Sequence, residues 1–214
     1  MLWSILICAI PERYHSVQPL LYNLLERQGV ARAADVELHY LMDNKRRPVG
    51  AKRNALLAMA QGEYVSFIDD DDDVAPDYVD RVHKAIVAGR RADPPVDVIC
   101  FHQRATLHPH NIVHECTYSL SHWKNRPPEQ RRQLAPAFDG NGQPIANALL
   151  WTGPPAHTMV WRREVVKDIA FPDQTFGEDV SWVDRACERA VSEFCLDGGP
   201  LYFYRFDETR TATR

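Results

Sequence analysis

Apolar positions in the first hundred residues switch between two periods. Residues 3–9 are apolar apart from Ser4, which predicts a strand buried on both faces. Over residues 15–28 the period becomes helical, with Val17, Leu20, Leu21, Leu24 and Leu25 on one stripe and Gly29 as the stop. Residues 36–42 predict a second strand. Pro48 and Gly50 open a second helix, with Ala55, Leu56 and Met59 facing inward and Gly62 ending it. Residues 64–68 predict a third strand and residues 96–101 a fourth; between them Pro76 starts a helix carrying Val79, Val82 and Ile86. This alternation is the pattern of an α/β protein with a mostly parallel sheet flanked by helices.

The remainder is less periodic. Residues 102–155 are rich in His, Pro and Asn and predict an irregular second half, with one strand at 112–118 and a basic surface loop at 124–132. Helical period returns at residues 180–190, and residues 200–206 predict a final strand. No internal repeat or low-complexity linker interrupts the chain. At 214 residues it reads as one domain laid out in two parts, residues 1–101 and 102–214.

Composition narrows the possible roles. With 45% hydrophobic and 25% charged residues, the chain has ordinary globular composition and is not disordered over its length. A net charge of -4 supplies no global field toward nucleic acid or an anionic membrane. The first apolar run is far shorter than the roughly 20 residues that span a bilayer, so no membrane anchor is expected. The five cysteines are widely spaced and contain no C-x-x-C pair. Neither a disulfide scaffold nor a cysteine zinc site is expected, and a reducing, cytoplasmic location fits.

The chemistry gathers at strand ends, where parallel sheets bind ligands. Asp69, Asp70, Asp71, Asp72 and Asp73 follow the third strand directly. Five adjacent carboxylates repel one another and call for a counter-charge. Hard oxygen ligands suit Mg²⁺ or Mn²⁺ carrying phosphates. An EF-hand beginning at Asp69 would need Gly and Glu where Val74 and Asp80 stand.

The segment from Gly62 through Tyr64-Val65-Ser66-Phe67-Ile68-Asp69-Asp70-Asp71-Asp72 to Pro76 resembles the D-x-D region of GT-A glycosyltransferases of the family-two type. Gly50-Ala51-Lys52-Arg53-Asn54-Ala55 is similar to that family's Ala-Arg-Asn helix start, one residue closer to its Gly. Met42-Asp43 resembles the second-strand end, and Ile10-Pro11-Glu12-Arg13 the nucleotide-holding loop after the first strand. The resemblance implies a GT-A fold and an inverting, metal-assisted glycosyltransferase. Its donor would be a nucleoside-diphosphate sugar, UDP-linked by expectation, and its acceptor a hydroxyl, with nucleic acid entering only as a possible acceptor. Under it, Asp43 reads the base, Asp69 and Asp70 contact the nucleotide sugar, and Asp71 with Asp69 holds Mn²⁺ or Mg²⁺. Pro11, Arg13, Lys52, Arg53 and the late Arg205 would complete the nucleotide site, with Arg210 as a further diphosphate contact.

Phe176-Gly177-Glu178-Asp179 resembles the family's Gly-Glu-Asp motif, which implies Asp179 as catalytic base and Glu178 as an orienting carboxylate. Acidic residues also favour the first turn of any helix through capping and the dipole. Trp151, His157 and Trp182 are candidate acceptor contacts, because aromatic faces stack on sugar rings. Two alternatives remain at this level. A nucleotidyltransferase would ordinarily show a Gly-rich loop after the first strand, where Pro11, Glu12 and Arg13 stand. A non-catalytic carbohydrate-binding module would have no need of a base at Asp179.

Overall fold

The computed structural model describes residues 1–139 and 141–207; Arg210 lies outside them. In chain order the strands are β1 (Trp3–Ala9), β2 (Val36–Met42), β3 (Tyr64–Asp69), β4 (Asp73–Val74), β5 (Val98–Cys100) and β6 (Gln103–His108). They continue as β7 (Ile112–Tyr118), β8 (Gln133–Phe138), β9 (Pro144–Gly153), β10 (Val160–Arg162), β11 (Glu193–Cys195) and β12 (Tyr202–Asp207). The helices are α1 (Tyr14–Tyr22), α2 (Val49–Met59), α3 (Tyr78–Gly89), α4 (Leu120–Lys124), α5 (Arg163–Val166) and α6 (Glu178–Arg189). A wider turn over Asn23–Arg27 extends α1.

The strands form two sheets. The first has the order β11-β5-β10-β3-β1-β2. Strands β2, β1 and β3 run parallel, as does the β5–β11 pair, while β10 enters antiparallel between β3 and β5. All seven residues of β1 are buried, as its continuous apolar run requires. The second sheet has the order β4-β12-β6-β7-β9-β8. The expectation of an irregular second half is therefore corrected. Residues 103–153 build four paired strands, and β12 joins them in parallel with β6. Their periodicity is weak because β8 and much of β9 lie exposed, with Leu134, Phe138, Ile145 and Leu150 open to solvent.

The carboxylate run joins the two sheets. β3 ends at Asp69 in the first and β4 begins at Asp73 in the second. Packing then fixes the segment before α6. Gly50 starts α2 against this segment so closely that a Cβ would lie 1.8 Å from the Pro172 carbonyl oxygen. The Asn54 side chain donates to Phe171 O at 2.9 Å and accepts from Phe171 N at 2.7 Å. Gly177 then turns the chain into α6 with φ of 71°, a left-handed conformation that glycine adopts without steric cost. Phe171 and Trp182 stack with centroids 4.6 Å apart beneath it.

Candidate active site

The acidic run is arranged residue by residue, with each carboxylate facing different partners. Asp69 faces Arg53 Nη2 at 2.8 Å and His157 Nε2 at 3.4 Å. Asp70 is buried, accepts from Ile10 N at 3.0 Å and pairs with Arg13 Nη1 at 2.8 Å. Arg13 reaches Asp71 with its other amino group at 3.0 Å. Asp72 is buried and accepts from Tyr202 Oη at 2.6 Å and Arg205 N at 2.8 Å. The Tyr202 hydroxyl also accepts from Asp69 N, which ties the end of β3 to β12. Burial and the charges of Asp69 and Asp70 push the Asp71 carboxyl up to about 6, against the pull of Arg13. Asp69 moves the other way: despite its burial, Arg53 and His157 hold it well below the usual carboxylate range.

The second acidic pair meets the first across one cavity. Arg53, buried on α2, donates to Glu178 Oε1 at 2.7 Å while holding Asp69. His157 lies between Asp69 and Asp179, with Nδ1 3.3 Å from Asp179 Oδ2. Burial and the nearby Arg53 charge disfavour protonation of His157, yet Asp69 and Asp179 raise its pKa to about 9. Burial would raise Asp179 too, but His157 brings it down to about 2. The pair is unequal in access. The Glu178 side chain is 7% exposed and committed to Arg53, whereas that of Asp179 is 37% exposed toward the cavity.

At the end of β2, Asp43 pairs with Arg47 at 2.9 Å and with Lys52 at 3.4 Å. The oxygen facing Lys52, Oδ1, is buried and is met by that ammonium alone, at ion-pair and not hydrogen-bond geometry. Buried polar atoms are rarely left so. Lys52 is almost fully buried and donates to Ala9 O at 3.1 Å, bracing the end of β1 against α2.

The cavity has a volume of about 520 Å³. Its lining includes Arg13, Lys52, Arg53, Asp69, Asp70 and Asp71 together with His157, Glu178 and Asp179. Trp151 stands on the wall contributed by the second sheet, with Tyr118 at a centroid distance of 5.0 Å. Four expected residues fall outside this lining, and one of them is Asp43, held by Arg47 and Lys52 at the end of β2. Trp182 is fully buried and donates to Ile169 O at 2.9 Å, so it is a core residue and not an acceptor contact. Pro11 is exposed and opens the short turn over Pro11–Arg13; its neighbours Ile10 and Arg13 line the cavity instead. Arg205 pairs with Asp73 at 3.0 Å and lines a separate cavity beyond Asp71. Sequence reasoning missed Gln103, Tyr118, Tyr204 and Phe206, which line the main cavity from the second sheet. The alternation of aromatic residues in Tyr202, Tyr204 and Phe206 was the signal for one-sided placement.

Carboxylates beyond the ends of parallel strands, opposed by a second acidic pair at a helix start, define a GT-A type of α/β site. The chain belongs to glycosyl transferase family 2, whose model matches residues 26–151. No curated protein sequence matches it. Among solved structures, the fold is similar to that of S. aureus TarS 1-349, with a TM-score of 0.60 at 17% identity, over 96% of this chain and 60% of that one. The crystal structures of TarS 1-349 with UDP and with UDP-GlcNAc match at TM-scores of 0.59 and 0.58, each at 17% identity over 96% of this chain. They are covered over 60% and 58% of their own lengths, so this chain spans about three-fifths of those relatives.

Proposed function

We propose that this protein transfers a sugar from a nucleoside-diphosphate donor, a UDP-sugar, to an acceptor hydroxyl with inversion at the anomeric carbon. The observation that carries the reading is the convergence of Asp69 and Asp179 on one cavity, joined by His157. Family membership and the UDP-GlcNAc complex of the TarS structure support it.

Residues 1–101 hold the donor in this reading, and the later residues shape the acceptor side. In this reading the Asp43 carboxylate, held by Arg47 and Lys52, accepts a base N–H, which uracil offers. Arg13 and Lys52 place positive charge beside the diphosphate. Asp71 and Asp69 line the cavity with hard carboxylate oxygens and would hold Mn²⁺ or Mg²⁺ beside the diphosphate. When bound, that ion neutralises charge developing on the departing diphosphate.

Asp179 is the accessible carboxylate and stays ionised at neutral pH, the form that accepts a proton. As the acceptor oxygen attacks the anomeric carbon, its proton passes to Asp179 while the bond to the diphosphate breaks on the opposite face. His157 positions the carboxylate. Glu178 anchors the start of α6 through Arg53. Trp151 offers a ring face to the acceptor. The five free cysteines are consistent with a cytoplasmic setting, and no helix among the described residues is long and apolar enough to cross a membrane.

A thermal-shift panel of nucleoside diphosphates and their sugars, with and without Mn²⁺, tests the reading. UDP and at least one UDP-sugar are expected to raise the melting temperature most with Mn²⁺ present. A panel in which no nucleotide sugar shifts the protein would overturn the donor assignment.

A further inference from the structure

We propose that Cys100, Cys195 and Glu193 form a thiolate–carboxylate metal site that takes Zn²⁺, apart from the sugar-transfer cavity. The three residues are distant in sequence from any C-x-x-C signature, and strand pairing brings them together. β5 and β11 are parallel neighbours, in a register that sets Cys195 beside Cys100. Glu193 lies two residues before Cys195, so the period of the strand puts both side chains on one face.

The ligand atoms converge. Glu193 Oε2 is 3.8 Å from Cys100 Sγ and 3.7 Å from Cys195 Sγ, and all three ligand atoms lie within 4.8 Å of one another. With Zn–S of about 2.3 Å and Zn–O of about 2.0–2.2 Å, tetrahedral zinc separates sulfur from oxygen by roughly 3.5 Å and two sulfurs by roughly 3.8 Å. The two observed sulfur–oxygen distances need only a few tenths of an ångström of adjustment. Cys100 is buried and Cys195 exposed, which leaves a solvent side for water as the fourth ligand.

The carboxylate is also pre-oriented. Glu193 Oε1 accepts from Ser119 Oγ, Ser121 N and Ser121 Oγ at 3.1, 3.0 and 2.5 Å, and Oε2 accepts from Leu120 N at 2.6 Å. Outer hydrogen bonds of this kind fix a ligating carboxylate. The same Oε2 accepts from both sulfurs, so it lies between them and the α4 backbone. On binding, each thiol gives up its proton to solvent and the two thiolates with the carboxylate hold the ion. The ion would clamp the three-residue edge strand β11 to β5 and to the start of α4.

The test is a Co²⁺ titration of the full chain, stripped of metal and kept reduced with a phosphine. The expected result is a near-ultraviolet sulfur-to-cobalt charge-transfer band with intense visible bands of tetrahedral Co²⁺. These should saturate at one equivalent, and Zn²⁺ should bleach them. Co²⁺ held by the Asp run alone would give weak octahedral bands and no charge transfer, so the two sites are separable. Cys195→Ser, at an exposed position, should abolish the charge-transfer band and the rise in melting temperature produced by Zn²⁺. Wild-type protein without the band, or a Cys195→Ser variant that keeps it unchanged, overturns the site. So does a Cys100–Cys195 disulfide that forms in air at the same rate with and without Zn²⁺.

Discussion

Arg53 and Glu178 lie 125 positions apart and meet in a 2.7 Å ion pair inside the protein. The same guanidinium holds Asp69, so one buried cation joins the donor-side and acceptor-side acidic groups. Phe67 and Phe171 flank it, with ring centroids 5.7 and 5.5 Å from its Cζ. Arg53→Met should therefore cost about 3–5 kcal/mol, because two carboxylates lose their shared partner in a desolvated setting. Arg53→Lys should also lose stability, since a single ammonium does not reproduce the planar fork. Denaturant unfolding of both variants measures this, and wild-type midpoints for both would refute it.

Asp179→Asn is expected to lower the rate of transfer by about 10²–10⁴. Donor affinity and melting temperature should stay near those of the wild type, because Asn retains the size and most hydrogen bonds at a helix start. The measurements are kcat, the UDP dissociation constant and the melting temperature of one preparation. A variant that melts lower yet turns over normally would reduce Glu178-Asp179 to a helix start.

Chelation of Mn²⁺ or Mg²⁺ should weaken UDP binding, and Asp71→Ala should do the same in the presence of metal. Calorimetric titration of UDP in EDTA and in Mn²⁺ provides the comparison. Equal affinities in the two buffers would remove the metal from the proposed site.

Asp43→Asn should narrow the preference for uridine over other bases. A site built to pair a polar group rejects ligands that lack it, and the substitution changes what that group offers. The conservative replacement matters because Lys52 is buried beside Asp43 and would lose more with Ala. Competition binding with UDP, CDP, GDP and ADP gives the readout; an unchanged ranking would mean that another group reads the base.

Gly50→Ala should lower stability by about 1–3 kcal/mol or more, since the new methyl would overlap the Pro172 carbonyl and overpacking costs that much. Relief requires α2 to move away from the segment leading to Glu178. A melting temperature equal to that of the wild type would show that the segment yields freely.

The first half was legible because β1 and β3 are buried on both faces and α3 carries a clean apolar stripe. α2 departs from expectation: it buries Lys52 and Arg53 beside Leu56 and leaves Met59, expected to face inward, exposed. Trp3–Ala9 and Val36–Met42 have the expected bounds, and α6 begins within two residues of the helix expected at 180. β10 escaped notice: its three residues follow Gly153, Pro154 and Pro155 closely and resemble loop, yet they slot between β3 and β5. β8 and β9 were hidden by Pro136, Pro144 and solvent exposure, which erase the alternation of a half-buried strand. The motif residues Asp69, Asp71, Glu178 and Asp179 were visible one by one. Their joint facing was not, because Arg53 and His157 create it through contacts spanning as many as 125 positions. Cys100 and Cys195 escaped for the same reason, since register and not spacing makes them neighbours.

The passage of the acidic run from one sheet to the other has a mechanical consequence. Asp70 is pinned to Ile10, at the end of β1, while Asp72 is pinned to Tyr202 and Arg205 of β12. Asp71 stands between these two moorings. Tyr202 also holds Asp69 N, so one hydroxyl rivets the end of the first sheet to the second. The place of Asp71 is thus set jointly by both sheets, and a packing fault in either would reach it.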